Sequence, residues 1–174
     1  MSPIEALKNA VRDVPDFPIP GILFKDITPV LGDPQLFRTA VDLFIRRHEK
    51  AGIRKVACID ARGFLLGSAV AYGLGAGLIP IRKKGKLPYK TLDQAYALEY
   101  GTAELAMHVD AVEPGEKVLL IDDLLATGGT ARAAAQLLEK AGARVVEIDV
   151  LIELEFLKGR EKIVPIPFFA AFSY

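Results

Sequence analysis

The chain has 174 residues, of which 51% are hydrophobic and 25% charged. This length suits one domain with a buried core, and the composition excludes a disordered or collagen-like chain. Lys plus Arg and Asp plus Glu each total 22, giving a net charge of 0, which argues against non-specific nucleic-acid binding. The lone cysteine, Cys58, predicts a buried, inert thiol, and the N-terminus lacks a signal-peptide pattern. We therefore expect a cytoplasmic protein that binds neither nucleic acid nor membrane.

The N-terminal part of the chain predicts two helices joined by a loop. Residues 2–5, Ser-Pro-Ile-Glu, form a capping box with proline at the first helical position, so a short helix begins there and ends before Pro15. Residues 16–24 are too rich in proline for a helix or a central strand and predict an ordered loop. Asp33-Pro34 marks the start of a second helix, whose apolar residues keep helical spacing through His48.

After Gly52, short apolar strands alternate with helices. Strands are predicted over 55–60, 78–81, 117–121 and 144–152, and helices over 64–72 and 131–141. The uncharged stretch 63–81 is about as long as a membrane span, but its glycines and Pro80 indicate a helix, a break and a strand. The alternation predicts an α/β fold in which helices cover both faces of a parallel sheet.

A loop and a flap separate the two halves of the predicted sheet. Residues 85–88, Gly-Lys-Leu-Pro, predict a mobile loop, and 95–109 contains two strand-like runs broken at Tyr100-Gly101. These runs predict an antiparallel flap beside the sheet. Pro165 and Pro167 place the C-terminal strand at a sheet edge. We interpret residues 1–174 as a single domain.

The segment 118–130 is typical of a sugar-phosphate site. Asp122 and Asp123 follow a buried strand, and a glycine-containing turn then leads into a helix; ligands of open α/β sheets bind at such strand ends. Two adjacent carboxylates can accept hydrogen bonds from two hydroxyls of a ribose. The groups that suit a phosphate lie in the turn and at the start of the helix: Thr127, Gly128, Gly129 and Thr130. The pattern is neither a P-loop nor a dinucleotide fingerprint.

This segment resembles the phosphoribosyl-pyrophosphate (PRPP) motif of the type I phosphoribosyltransferase family. Other stretches narrow the resemblance to the adenine-specific members of that family: 17–29, 60–64, 81–88, 98–101 and 157–162. Covering nearly the whole chain, the resemblance implies the type I phosphoribosyltransferase fold, a parallel twisted sheet flanked by helices. It also implies a small N-terminal hood within residues 1–33, and a flexible loop and flap within 83–109. The implied reaction converts adenine and PRPP into AMP and pyrophosphate, in purine salvage, and the implied assembly is a homodimer.

The resemblance assigns the two ends of the sugar phosphate to different residues. Asp122 and Asp123 would bind the ribose hydroxyls. The 5′-phosphate would be bound by the turn and the first helical residues: Ala126, Thr127, Gly128, Gly129 and Thr130. Mg²⁺ would bridge oxygens of the pyrophosphate and the ribose with no direct protein ligand, because it retains water and favours substrate phosphates.

Two arginines are candidates for binding pyrophosphate, since the rigid guanidinium fork matches its oxygens. Arg62 follows the first central strand, and we expect it to be part of the catalytic site. Arg82 is the preferred member of a cationic cluster that also contains Lys83, Lys84 and Lys86. The family resemblance allows Arg82 to act in its own subunit or in the active site of a second one.

Proton transfer and base choice are assigned to the flap and the hood. Glu99 is the candidate acid–base group, provided that desolvation on flap closure raises its pKa from about 4.3. Tyr100 either helps to close the flap or is simply a packed aromatic. By resemblance, the backbone at Leu23 and Lys25 would bind the adenine edge and reject a 6-oxopurine. Neither histidine, His48 or His108, falls in a matched motif, so both are expected to be structural or exposed.

Rival functions remain open at this point. A phosphoribosyltransferase for another base, such as a 6-oxopurine or orotate, would share the PRPP motif. A non-catalytic PRPP-sensing regulator would also keep that motif, but it needs a nucleic-acid surface that a neutral chain does not offer. A PRPP synthase would need a second similar domain, for which the chain is short.

Overall fold

The computed structural model describes residues 2–97 and 101–174. The chain divides into two compact units, Met1–Leu43 and Phe44–Tyr174. The predicted hood, 1–33, lies within the first unit, and every strand of the predicted parallel sheet lies within the second. The sequence predicts a single domain over residues 1–174, and this remains a prediction.

The first unit confirms both predicted helices. Helix α1 (Pro3–Ala10) begins at the capping box: Ser2 Oγ accepts the N–H of Glu5 at 3.2 Å, and the Glu5 carboxylate accepts the N–H of Ser2 at 2.6 Å. Helix α3 (Pro34–His48), which continues into the second unit, begins after Asp33, whose Oδ1 accepts the N–H groups of Gln35 and Leu36. Side-chain oxygens thus satisfy the first orphan donors of both helices.

The proline-rich segment of the first unit differs from the prediction. Strands β1 (Arg12–Pro15) and β2 (Leu23–Asp26) form a two-stranded antiparallel sheet where only a loop was expected. Each strand is only four residues long, and Pro15 ends β1, a place where a missing N–H is tolerated. A short helix, α2 (Thr28–Gly32), follows β2 and was not predicted.

The second unit contains the central sheet. Its elements are β3 (Lys55–Ile59), α4 (Arg62–Leu74), β4 (Gly77–Lys83), β5 (Thr91–Ala97), β6 (Thr102–His108), β7 (Lys117–Leu125), α5 (Gly129–Lys140), β8 (Arg144–Glu153), α6 (Arg160–Ile163) and β9 (Phe168–Ser173). The strand order is β5-β6-β4-β3-β7-β8-β9. Strands β4, β3, β7, β8 and β9 run parallel, whereas β5 and β6 are the antiparallel flap and β9 is the edge strand. The predicted α/β fold class is confirmed.

Helices α4 and α5 lie on opposite faces of this sheet. Ala57 and Leu120 share a buried core with α5. Their neighbours along the strands, Cys58 and Ile121, point the other way and contact α4, where a β-carbon on Gly67 would overlap the sulfur of Cys58. Burial raises the pKa of the Cys58 thiol to about 12, which confirms an inert cysteine.

Helix α4 and strand β4 account for the uncharged stretch 63–81. The helix ends at Leu74, and Gly75 takes the left-handed conformation at φ 64° that commonly terminates helices. Across residues 2–97 and 101–174, no helix combines the length and the apolar character needed to span a bilayer.

A buried polar cluster connects the end of α3 to β8. His48 Nε2 lies 2.8 Å from Asp149 Oδ2, and Arg47 makes a two-pronged ion pair with Glu147 at 2.6–2.8 Å. Asp149 is 0% exposed, and burial raises its pKa although the hydrogen bond with His48 opposes the shift. His48 is therefore structural, as the sequence predicted.

Removing His48 should leave a buried charge without its partner. We expect His48→Leu to lower the free energy of unfolding by about 3 kcal/mol, because Asp149 would lose its hydrogen-bonded counterpart. Urea unfolding measures this loss. The double variant His48→Leu/Asp149→Val should recover most of it, since no buried carboxylate remains. A double variant less stable than the single one would contradict this explanation.

Candidate active site

The carboxyl ends of three neighbouring parallel strands form one edge of the sheet. Ile59 at the end of β3 pairs with Ile81 of β4, and Cys58 pairs with Ile121 of β7. The N–H of Asp60 continues this pairing by donating to the carbonyl of Ile81 at 2.9 Å. A cavity of about 240 Å³ opens at this edge, lined by residues 59–62, 122–128, 130 and 131. Its position matches the general location of ligand sites in open α/β sheets.

Asp122, which is half-buried, and Asp123, which is buried, form an acidic pair in the last part of β7. Burial raises the pKa of Asp122 well above its ordinary value, and the neighbouring charge of Asp123 raises it further. Asp123 is only 2% exposed, and this burial raises its pKa. Arg62, whose Nε lies 3.1 Å from Asp123 Oδ2, opposes the shift in part. Asp122 Oδ1 accepts the N–H of Asp123 at 2.9 Å. One guanidinium and one backbone N–H are therefore the polar partners observed for this acidic pair.

Gly63 fixes the distance between the start of α4 and the acidic pair. A β-carbon at Gly63 would lie 2.9 Å from Asp122 Oδ1 and 3.0 Å from the carbonyl of Ile121. Only a residue without a side chain allows α4 to begin so close to β7. Gly63 therefore belongs to the site, although the sequence analysis included it only within the stretch 60–64.

The turn after β7 presents backbone donors to the cavity. Residues 126–128 form the turn, and α5 begins at Gly129 with Gly128 as its N-cap at φ 80°. No side chain caps this helix, and the N–H of Arg132 donates to the carbonyl of Gly128 at 2.9 Å, the bond of its first turn. The earlier N–H groups have no intrahelical acceptor, so they and the helix dipole favour an anion. Thr127 is exposed and Thr130 half-buried, so both hydroxyls are available at this end of the cavity.

Three of the predicted cationic residues, Arg62, Arg82 and Lys84, have carboxylate partners near the same edge. Arg82 Nε bonds Asp60 Oδ2 at 2.8 Å, which places Arg82 beside a residue of the cavity wall. Lys84 pairs with two acids of the flap strands, Asp93 at 3.1 Å and Glu104 at 3.0 Å. The sequence did not predict that Asp60 pairs with Arg82, because residue spacing within one strand does not reveal an ion pair with a residue of the neighbouring strand.

Leu23 and Lys25 lie in β2 of the first unit. Because they are two residues apart in one strand, their backbone polar groups point to the same edge of the sheet. The Lys25 ammonium bonds Asp13 Oδ1 at 2.6 Å, so its side chain is held within the small sheet. Glu99 and Tyr100 fall outside the described residues, and their roles stay predictions.

The comparisons with known proteins agree with this arrangement. Residues 30–166 match the phosphoribosyl transferase domain model. The adenine phosphoribosyltransferase of Methylacidiphilum infernorum is 52% identical over 173 residues, covering 99% of this chain and 97% of that protein. The crystal structure of the Rhodothermus marinus adenine phosphoribosyltransferase superimposes with a TM-score of 0.95 at 51% identity, covering 99% of this chain and 98% of that one.

The chain belongs to the adenine phosphoribosyltransferase family. It is an enzyme of purine salvage that transfers a phosphoribosyl group, as the sequence predicted. A more distant member, from Saccharomyces cerevisiae, was crystallised with an imino-altritol bisphosphate and adenine; it is 38% identical with a TM-score of 0.93 and covers 98% of both chains. The binding roles that the sequence predicts for the acidic pair and for the start of α5 stay predictions.

Replacing Asp122 with Asn should stabilise the protein while it disables the site. Since the folded pKa of Asp122 lies above its unfolded value, ionisation costs the wild-type protein stability as the pH rises through the folded pKa. We expect Asp122→Asn to raise the free energy of unfolding by about 1 kcal/mol or more near pH 8. The gain should vanish below about pH 4, where the carboxyl is protonated in both states. Urea unfolding at the two pH values measures it.

Asp93→Asn is the matched control, with the opposite sign. A hydrogen bond from Thr91 lowers the pKa of Asp93, and Lys84 adds to the effect. Its ionised form therefore stabilises the fold above the unfolded pKa, so the Asn variant should lose stability at neutral pH and equal the wild type in acid. A loss of stability in Asp122→Asn near pH 8 would refute the cost assigned to the buried pair.

Proposed function

We propose that this chain joins N9 of adenine to C1 of the ribose of PRPP, releasing pyrophosphate and forming AMP, with the residue roles given below. The observation that carries these assignments is the shared cavity of Asp122, Asp123 and the uncapped N-terminus of α5. One end of this cavity accepts hydroxyl groups and the other donates to an anion. A ribose 5-phosphate offers those two functions in that order.

The acidic pair holds the sugar and stabilises its reactive state. Asp122 and Asp123 accept the two ring hydroxyls, and the backbone of residues 126–130 with the hydroxyls of Thr127 and Thr130 binds the 5′-phosphate. As the bond between C1 and pyrophosphate lengthens, the ribose gains positive charge. Two fixed carboxylates in a water-poor cavity stabilise this charge more strongly than the neutral ground state.

The departing pyrophosphate is assigned to Arg62 and Arg82. Both guanidinium groups lie at the edge where the cavity opens, and each already binds a carboxylate of that edge. Arginine presents parallel donors to paired oxygens. Each guanidinium can therefore exchange its carboxylate partner for a phosphate, which is also an anion. The lysines of the loop, Lys83, Lys84 and Lys86, add positive charge around the same group.

Mg²⁺ fits this site as an ion held mainly by substrate and water. Of the cavity carboxylates, Asp60 bonds Arg82, Asp123 pairs with Arg62, and Asp122 accepts a backbone N–H. Such engaged carboxylates do not form a protein cage, and Mg²⁺ commonly binds through phosphates and retained water. When bound, the ion neutralises charge on the pyrophosphate.

Adenine is assigned to the backbone of Leu23 and Lys25, with Glu99 and Tyr100 of the flap completing the site. A backbone carbonyl accepts from the 6-amino group of adenine but repels the oxygen of a 6-oxopurine. The Glu99 carboxyl exchanges a proton with a ring nitrogen as N9 forms its new bond, and Tyr100 helps to close the flap. These roles come from the family resemblance.

The active form is proposed to be a cytoplasmic homodimer. The exposed face of α4 supports association, because Tyr72, one of its large residues, is 90% exposed and Leu65 lies two turns before it on the same helix. A second subunit would also allow Arg82 to act in the neighbouring site. Sedimentation of the purified protein measures the subunit number.

A base panel tests the proposed reaction. With PRPP and Mg²⁺, we expect pyrophosphate release with adenine and a kcat/KM for hypoxanthine, guanine and orotate lower by about 10⁴-fold, since a 6-oxopurine leaves buried groups unpaired. Steady-state assays with each base provide the values. Equal turnover of hypoxanthine would indicate an enzyme for another base, and no release with any base would indicate a PRPP-binding regulator.

Glu99→Gln tests the assignment of the proton-transfer group. We expect kcat with adenine to fall by about 10²-fold or more, because general acid–base catalysis contributes that much, while the Kd for PRPP changes by less than about twofold. The matched control is Glu104→Gln, the same substitution in strand β6 at a residue that pairs with Lys84. Turnover of Glu99→Gln equal to that of Glu104→Gln would remove Glu99 from the mechanism.

A further inference from the structure

The phosphate-binding turn, residues 126–128, lies in direct backbone contact with residue 159. A β-carbon at Gly159 would overlap the carbonyl oxygen of Ala126 and would lie 2.9 Å from the backbone nitrogen of Gly128. A β-carbon at Gly128 would in turn overlap the carbonyl oxygen of Gly159. The atoms in contact are backbone atoms on both sides, so no side-chain rotation can relieve an added methyl group.

Position 159 requires glycine because of this contact, and not because of the backbone conformation of the residue itself. Gly159 has φ −59° and ψ −29°, ordinary helical values that any residue adopts. Alanine would be favoured over glycine at such a position if space allowed, since it restricts the unfolded chain. Gly128 differs, because its φ of 80° requires glycine whatever its surroundings.

The segment that carries Gly159 is fixed to the ends of the neighbouring strands. Arg160 makes a two-pronged ion pair with Glu153, with Nε 3.1 Å from Oε1 and Nη2 2.5 Å from Oε2. Glu153 is only 4% exposed and ends β8, where it pairs with Leu125, the last residue of β7 before the turn. The Arg160 guanidinium also lies 4.7 Å from the ring centre of Phe168 in β9.

The other end of the segment is equally well anchored. Ile163 is fully buried in the core that contains α5. The carbonyl of Gly159 accepts the N–H of Lys162 at 3.1 Å, so the same carbonyl that contacts Gly128 also closes the first turn of α6. We name residues 157–163 the buttress. This segment is anchored by the contacts described above and packs against the turn.

We propose that the buttress sets the position of the phosphate-binding turn, and that Gly159 is a positioning residue for recognition of the 5′-phosphate. The inference rests on the proposed function, in which residues 126–130 bind that phosphate. Hydrogen bonds weaken steeply with distance and angle, so the N–H groups of the turn bind well only where the turn is held in place. A methyl group at 159 displaces the turn and misdirects these donors, leaving the acidic pair in β7 where it is.

The test compares AMP with adenosine, two ligands that differ only in the 5′-phosphate. Isothermal titration gives the ratio of the adenosine Kd to the AMP Kd, which measures the phosphate contribution. We expect Gly159→Ala to lower this ratio by about tenfold, corresponding to about one charge-assisted hydrogen bond. The adenosine Kd should stay near the wild-type value, whereas the melting temperature should fall, because backbone must shift to accept the methyl group. Gly32→Ala is the matched control, since a β-carbon at Gly32 meets nothing within 4 Å.

A second variant covers the case in which Gly159→Ala does not fold. Arg160→Lys keeps the charge beside Glu153 but loses the two-pronged geometry, and it should lower the same ratio by about threefold. A wild-type protein that binds AMP no better than adenosine would refute the proposed function itself. A wild-type preference for AMP that both foldable variants retain in full would refute the role of the buttress and leave the function standing.

Discussion

Two adjacent acidic residues near the end of one strand are the constraint on which the site in the second unit depends. Asp122 is half-buried and Asp123 is buried, and burial raises the pKa of both. Their cost is reduced by one guanidinium, that of Arg62, and by the N–H of Asp123. In the proposed reaction a ribose diol would donate to this pair, and a sugar with developing positive charge would suit it better still. The cost to the fold and the preference for the reactive sugar therefore have the same electrostatic origin.

Close backbone packing around this pair depends on glycine at three places. Gly63 lets α4 begin against Asp122, while Gly128 and Gly159 bring the turn after β7 against the residue before α6. In each case the neighbour is a backbone atom or the Asp122 carboxylate, so the missing side chain determines where that group lies. Such contacts contribute little apolar burial. Their effect is positional, and phosphate recognition is sensitive to position because it relies on directed N–H groups.

The sequence predicted most of the sheet but not its limits or its partnerships. Strands β3, β4, β7 and β8 were recognisable because apolar residues run continuously through a sheet buried on both faces. The sequence predicted that β7 ends at residue 121, because a charged residue such as Asp122 commonly follows a buried strand. In the structure Asp122 pairs with Val150, and the strand continues to Leu125. Strands β1 and β2 were missed because proline dominates their connection. The pairing of Arg82 with Asp60 joins two strands, and no spacing along the chain specifies it.

The pairing of cations with internal carboxylates has a consequence for how the site distinguishes its ligands. Arg62 and Arg82 each bind an acid at the mouth of the cavity, at 3.1 Å and 2.8 Å. In the proposed function a pyrophosphate would have to replace these contacts, so its net binding energy would be the difference between two charge-assisted interactions and not the full value of one. A diphosphate with several charged oxygens would gain from this exchange, whereas a single carboxylate or a chloride ion would gain almost nothing. Under these proposed roles, the internal ion pairs keep the cationic side chains in place and disfavour weaker anions, so that affinity depends on a ligand that engages the acidic pair, the turn and both arginines together.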